Sequence, residues 1–147
     1  MKIVEAKRSE FMDVVFSMKY RNQDIIEAKD FGCKEVPECY IKMKTEFAKY
    51  FIVYDGEKPI VTVALQRDGY IVFFIAKEVE HPIKLVRTLR KLARRVTDKC
   101  GPIITKTAVW YKEAERLNKL VGFNEWKLFD SYSLWVYPKI ERTIRGG

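Results

Sequence analysis

The chain has 147 residues, of which 48% are hydrophobic and 14% aromatic, and its formal net charge is +8. This length predicts one domain with a single sizeable core, and the hydrophobic content excludes a disordered protein. No apolar run reaches the roughly 18 residues that a membrane span needs, and residues 1–11 lack the apolar region of a secretory signal. We therefore expect a cytoplasmic protein without a membrane partner.

The excess of basic residues favours polyanionic partners such as nucleic acids, acidic proteins or phosphorylated cofactors, although a basic surface can also serve solubility alone. Cys33, Cys39 and Cys100 are an odd number of cysteines without paired motifs, which argues against a disulfide framework and a zinc site. The single histidine is His81, and no nucleophile elbow accompanies any serine or cysteine. We expect reduced, mostly buried thiols and no metal.

The N-terminal part of the chain predicts one strand followed by two helices. Residues 2–6 (KIVEA) form the strand, and Ser9 can cap a helix over residues 10–18. Residues 22–29 predict the second helix, which carries Asp24 and Glu27. These two acids either line a cleft or are solvated helix charges.

The middle of the chain predicts a third helix and an antiparallel meander. Residues 37–50 have Tyr40, Met43 and Phe47 at helical spacing, so we expect a helix there with these residues in the core. The Asp55-Gly56 pair predicts a hairpin turn. The meander strands are expected at residues 51–54, 59–65 and 70–77.

The last part of the chain predicts a βαβ unit and a final hairpin. The long helix 82–99 should bury its apolar residues Ile83, Val86, Leu89, Ala93 and Val96, and Gly101 should end it. The strand that follows should lie parallel to residues 70–77 through a right-handed crossover. The remaining elements are expected at residues 103–110 (strand), 112–121 (helix), 123–129 (strand) and 132–136 (strand).

This order of elements resembles that of the GCN5-related N-acetyltransferase (GNAT) superfamily. Residues 111–123 (YKEAERLNKLVGF) look like the fourth-helix motif of the family, with matches at Ala114, Leu117, Gly122 and Phe123. Residues 85–93 (LVRTLRKLA) resemble its third helix. The resemblance implies an α+β fold with α/β/α layers, in which about four helices flank a mixed, mainly antiparallel sheet of six to seven strands. It also implies one parallel pair of strands splayed at the centre. We expect residues 1–138 to form a single domain and the polar, basic residues 139–147 to form a flexible tail.

The resemblance also implies acetyl-CoA as the acyl donor and a small amine as its acceptor. Glu78 is then the candidate general base at the end of the central strand, while Tyr111 and Asn118 fall at functional positions of the fourth helix. His81, at a helix N-terminus, is a second candidate base or a surface residue. The candidate cofactor-binding residues are Ile75, Ala76, Lys77, Glu80, His81, Pro82, Ile83 and Lys84.

Several positions depart from the family pattern. The glycines that bring the backbone close to the cofactor pyrophosphate are replaced by Glu78, Glu80 and Pro82, and proline has no N–H to donate. A like-charge contact near 4 Å costs on the order of 4 kcal/mol at an effective dielectric of about 20. The family tyrosine that protonates the leaving thiolate falls at Asn118, whose amide is not a useful proton donor.

Three hypotheses follow from these residues. The first is a GNAT-fold protein that has lost efficient acetyl transfer and acts through protein contacts. Residues 24–32, 89–99 and 108–126 resemble the GNAT-like virion assembly proteins of podovirus-type phages, which implies a phage-infected host cell or a virion. The second is an active acetyl-CoA-dependent N-acetyltransferase of an unknown amine. The third is a nucleic-acid-binding module that uses the basic helix 82–99, with Lys84, Arg87, Lys91 and Arg94 as its stripe.

Overall fold

The computed structural model describes residues 1–42 and 47–138, which contain seven strands and five helices. No helix in these residues has the length and apolarity to cross a membrane. The strands are β1 (Lys2–Ala6), β2 (Phe47–Asp55), β3 (Lys58–Gln66), β4 (Ile71–Ile75), β5 (Ile103–Ala108), β6 (Asn124–Leu128) and β7 (Tyr132–Tyr137). The helices are α1 (Arg8–Ser17), α2 (Asn22–Asp30), α3 (Val36–Ile41), α4 (Pro82–Cys100) and α5 (Lys112–Val121).

The strands form two antiparallel sheets that meet at one point. The first sheet has the order β1-β2-β3-β4, and the second has the order β5-β7-β6. A parallel bridge between Tyr70 and Ile104 joins them, with the Ile104 N–H donating to the Gly69 carbonyl oxygen at 2.9 Å. Beyond this bridge β4 and β5 diverge, so the splayed parallel pair predicted from the sequence is confirmed.

The helices cover both faces of the first sheet because its central strands alternate between two apolar clusters. Phe51 and Val53 of β2 pack in a cluster with α4 and α5, whereas Tyr50 and Ile52 pack in another with α1, α2 and α3. The second sheet contributes Ile103 and Trp135 to the first of these clusters, and Phe123, just before β6, also belongs to it. The result is the predicted α/β/α layering.

Helix α4 is strongly amphipathic, but its buried face differs by part of a turn from the prediction. Ile83 is 71% exposed and Val86 is half-buried, whereas Leu85 and Leu92 are buried. The full buried set is Leu85, Thr88, Leu89, Leu92, Ala93 and Val96. The helix ends at Gly101, whose φ of 83° is in the region that favours glycine.

Two predicted helices are wrong in part. Ser9 lies inside α1, which begins at Arg8, and no side chain caps that helix. The predicted helix 37–50 is limited to α3 at its start, because Phe47 onwards belongs to β2, where Tyr50 pairs with Ala6 and Ala64. Sheet pairing on both sides overrides the helical spacing there. The predicted core residue Met43 and the predicted tail, 139–147, lie outside the described residues.

Candidate active site

The divergence of β4 and β5 opens a chamber of about 270 Å³ in the middle of the fold. Residues of β4, β5 and α5 form its walls, and α2 closes one side. The polar and charged side chains at its surface include Arg21, Asp24, Glu27, Thr107, Tyr111 and Asn118. The chamber therefore combines apolar strand residues with a small group of polar residues, the usual composition of a ligand site.

Asp24 is the most enclosed acid of the chamber, with only 4% of its surface exposed. The Tyr111 hydroxyl donates to Asp24 Oδ1 at 2.7 Å. Arg21 Nη2 donates to the same oxygen at 3.2 Å, and Arg21 Nε donates to Oδ2 at 3.2 Å. Arg21 is the N-cap residue of α2, so Asp24 lies in the first helical turn, where a negative charge is favourable. The carboxylate is therefore both neutralised and fixed in orientation.

Glu27 lies one helical turn after Asp24 and also faces the chamber. It is half-buried, and Glu27 Oε2 accepts the Ala108 N–H at 2.9 Å. Burial raises the pKa of Glu27 to about 7, the Ala108 N–H opposes this rise, and the neighbouring Asp24 carboxylate adds to it. A carboxyl group with a pKa near neutrality can accept and release a proton at physiological pH, which is the requirement for a general base.

Three acids of α2 at three-residue spacing connect this helix to the end of β5. Asp24 accepts from Tyr111 and Glu27 accepts from Ala108, as described above. Asp30 Oδ2 accepts from Trp110 Nε1 at 2.7 Å. Acids at i, i+3 and i+6 lie along one side of a helix, so these bonds hold α2 over the open end of the splay.

Tyr111 and Asn118, two predicted catalytic residues, both line the chamber. Burial, together with the Asp24 carboxylate, raises the pKa of the Tyr111 hydroxyl far above its ordinary value, so it is a donor that stays protonated. Asn118 is 1% exposed, and its Nδ2 donates to Thr107 Oγ1 at 2.9 Å. The Asn118 amide is thus engaged with the neighbouring strand.

A second cleft of about 370 Å³ lies between the end of β4, the start of α4 and α5. It shares Arg21, Ile75 and Leu117 with the chamber, so the two spaces adjoin each other. Four of the predicted cofactor residues line this cleft: Ile75, Ala76, Lys77 and Pro82. The other four, Glu80, His81, Ile83 and Lys84, are exposed and do not line it.

Glu78 is separate from the chamber. It is exposed and lines a different pocket of about 430 Å³ with Lys19, Lys58 and Pro59. His81 also does not line the chamber, and its Nδ1 lies 2.7 Å from Asp55 Oδ2 at the end of β2. This hydrogen bond from His81 lowers the pKa of Asp55. Of the two candidate bases, the fold brings neither to the buried polar cluster.

The cleft and the turn before α4 differ in how well they suit an acyl-CoA. The cleft has apolar walls from Val79, Leu85 and Val86, and charged residues of α5, Glu113 and Arg116, also line it. Pro82 occupies the first turn of α4 without an N–H, but that turn carries no acid and no side-chain cap. The backbone N–H groups of Ile83 and Lys84 have no partner within the helix and remain donors for an anion. The cleft therefore offers apolar contacts, while the turn before α4 has fewer backbone donors for a phosphate than a glycine-rich turn provides.

Sequence comparison and structure comparison give different results for this chain. No family model and no curated protein matches the sequence. The structure is similar to AAC(6')-Ib in complex with paromomycin and acetyl-CoA, with a TM-score of 0.69 and 15% identity over 100% of both chains. It is similar to the GNAT domain of S. lividans PAT, with a TM-score of 0.67 and 11% identity over 92% of this chain and 88% of that one. A variant of spermidine N-acetyltransferase SpeG from Vibrio cholerae has a TM-score of 0.57 and 16% identity over 92% and 94%.

These likenesses establish the fold. The chain has the α+β fold of the GNAT acetyltransferases, as residues 85–93 and 111–123 predicted. No cluster of three or more His, Cys, Asp or Glu side chains in residues 1–42 and 47–138 could hold a metal ion. The sequence alone assigned no role to Arg21, and it did not distinguish Asp24 and Glu27 from solvated charges. The signal available was the spacing of the acids at 24, 27 and 30.

Proposed function

We propose that this chain is an N-acyltransferase that holds a small amine in the chamber and an acyl-CoA thioester in the adjoining cleft. One observation carries the proposal. Glu27, with a pKa of about 7, lies beside the buried Asp24 in a chamber that meets the cleft at Arg21, Ile75 and Leu117. A proton acceptor and a space for the acyl chain therefore meet in the centre of the splay.

In this mechanism the chain's own residues prepare the amine. An amine enters as its ammonium form, which the Glu27 carboxylate attracts, because Asp24 is already paired with Arg21. Glu27 accepts one proton from the ammonium group, which leaves a neutral nitrogen with a free electron pair. Tyr111 and Arg21 hold Asp24 in place and take no part in proton transfer. If bound, acetyl-CoA would supply a thioester carbonyl carbon as the electrophile. The nitrogen would bond to that carbon as the carbon–sulfur bond breaks, and the CoA thiolate would leave and take up the second proton released from the nitrogen.

The test compares Glu27 with Glu78, the two glutamates that are candidates for the general base. Acetyl-CoA binding is measured by titration calorimetry, and turnover is measured as thiol release with spermidine and paromomycin as amines. We expect Glu27→Gln to lower the rate by about 10²- to 10⁴-fold, the usual contribution of a general base, with an unchanged Kd for acetyl-CoA. Glu78→Gln removes an exposed carboxylate outside the chamber and should leave the rate unchanged.

Three results would contradict the proposal. A large rate loss in Glu78→Gln with none in Glu27→Gln would reject Glu27 as the base. Unchanged turnover in both variants would reject both glutamates as the base. The absence of acetyl-CoA binding at millimolar concentration would reject the enzyme itself.

A second candidate function is supported by the turn at residues 78–82. Its two exposed glutamates and its proline disfavour a pyrophosphate, which supports a GNAT-fold protein that acts through protein contacts such as virion assembly in a phage-infected cell. This candidate predicts no acetyl-CoA binding. It also predicts that Glu78→Gly/Glu80→Gly/Pro82→Ala, which restores donors and removes charge, creates binding that the natural chain lacks.

A further inference from the structure

Helix α4 carries most of the net charge of the protein. It contains seven basic residues and one acid, Asp98, so it alone accounts for six of the eight net positive charges. The buried face of α4 is apolar except for Thr88, which places the basic residues on the side exposed to solvent. The charge of the chain is therefore concentrated on one surface.

Five of these residues form a continuous exposed line along the helix, which we call the basic stripe: Lys84, Arg87, Lys91, Arg94 and Arg95. A helix rises about 1.5 Å per residue, so the stripe is roughly 16 Å long. Among the residues that the structure describes, no ion pair joins a residue of this stripe to an acid. Arg90 is not included, because its Nε donates to the Leu120 carbonyl oxygen at 2.6 Å.

We infer that the basic stripe binds the phosphate backbone of a nucleic-acid duplex. A straight row of like charges matches a rigid polyanion, and three of the five residues are arginines, whose planar guanidinium groups donate two parallel bonds to a phosphate. A membrane surface is a poorer match, because the large apolar side chain exposed on α4 itself is Ile83 alone. The stripe also runs about two and a half turns beyond the cleft at the start of α4, farther than a bound acyl-CoA at that cleft requires.

The salt dependence of binding tests this inference quantitatively. Fluorescence anisotropy with a labelled 20-base-pair DNA duplex is measured between 50 and 200 mM KCl. Each phosphate contact to duplex DNA contributes about −0.9 to the slope of log K against log salt. Four to five contacts predict that affinity falls by roughly 150- to 500-fold over this range. A second duplex of scrambled sequence should bind equally well, because phosphates carry no sequence information.

Two matched double variants distinguish binding by the basic stripe from binding that depends only on the net charge of the protein. Arg87→Gln/Arg94→Gln should reduce the magnitude of the slope by about 1.8, because two phosphate contacts are lost. Lys7→Gln/Lys29→Gln removes the same charge from exposed positions outside α4 and should leave the slope unchanged. The Kd for acetyl-CoA should be equal in both variants and the natural chain, which keeps this test independent of the enzyme proposal.

Three outcomes would overturn the inference. They are the absence of duplex binding at 50 mM KCl, an equal loss of slope in the Lys7/Lys29 variant, and tighter binding to vesicles of anionic lipid than to the duplex. The last outcome would identify a membrane surface as the partner.

Discussion

Removing the hydroxyl group of Tyr111 is the most direct probe of the buried polar cluster. Tyr111→Phe deletes the 2.7 Å hydrogen bond to Asp24 and leaves the rest of the ring in place. The Asp24 carboxylate, 4% exposed, would then retain Arg21 as its partner but would lose its shortest donor. Hydrogen bonds to charged groups contribute about 1.5–3 kcal/mol, so we expect a loss of about 2 kcal/mol in the free energy of unfolding.

The assay is urea unfolding followed by circular dichroism, with thermal unfolding as a second measurement. For a chain of this size, 2 kcal/mol corresponds to a decrease in Tm of roughly 4–8 °C. Tyr20→Phe is the matched control, because the Tyr20 hydroxyl donates at the same distance, 2.7 Å, to the neutral carbonyl oxygen of Val15. That bond should contribute only about 1 kcal/mol. If Tyr111→Phe costs no more than Tyr20→Phe, the stabilisation of Asp24 by the phenol is refuted.

Two further predictions concern Glu27 and the junction of the sheets. The pKa of Glu27 rises on folding from its ordinary value of 4.5 to about 7, so its contribution to stability is full below pH 4.5 and is lost as pH rises toward 7. The free energy of unfolding of the natural chain should therefore fall by roughly 3 kcal/mol across this window, and Glu27→Gln should abolish that fall. Equal pH profiles of stability for the two proteins would contradict this. Gly69 and Gly32 share a φ of 90°, but only at Gly69 would an added Cβ meet a backbone oxygen, that of Pro102, at 2.7 Å. Both alanine variants should lose about 1–2 kcal/mol in the free energy of unfolding from backbone strain, and Gly69→Ala should lose a further 1–3 kcal/mol from the close contact. Urea unfolding measures both losses, and equal losses would exclude the close approach.

The sequence predicted correctly those elements whose ends are marked by glycine or proline. Helix α5 has the bounds that the sequence indicated, because Gly122 ends it in a left-handed conformation with a φ of 115°. The start of β2 was not predictable in this way. The spacing of Tyr40 and Phe47 is helical, but the partners that make residue 47 a strand residue are in β3, which is distant in sequence. Long-range pairing decides such segments, and a local pattern does not contain it.

The residues of the candidate site were likewise predictable where a local motif identified them and not where a long-range contact did. The fourth-helix motif led to Tyr111 and Asn118, both of which line the chamber. Glu78 was assigned by its position at the end of β4, and the fold directs that residue to a different pocket. Glu27 was recognisable only as an acid on a helix, since solvated acids and cleft acids have the same spacing. Its burial arises when α2 packs against the end of β5, and the sequence of α2 alone does not specify that contact.

The bridge between Tyr70 and Ile104 gives the splay a hinge at one end. Each sheet is hydrogen-bonded within a separate part of the chain, residues 2–75 and 103–137, whereas one apolar cluster includes residues of both. The gap between β4 and β5 can therefore widen at its open end without the loss of a strand ladder, and the shared core resists complete separation. The Ile104 N–H, which donates to Gly69, lies at the closed end of this gap. Its hydrogen-exchange rate should stay constant when a ligand enters, while the amides of the open end should become more protected.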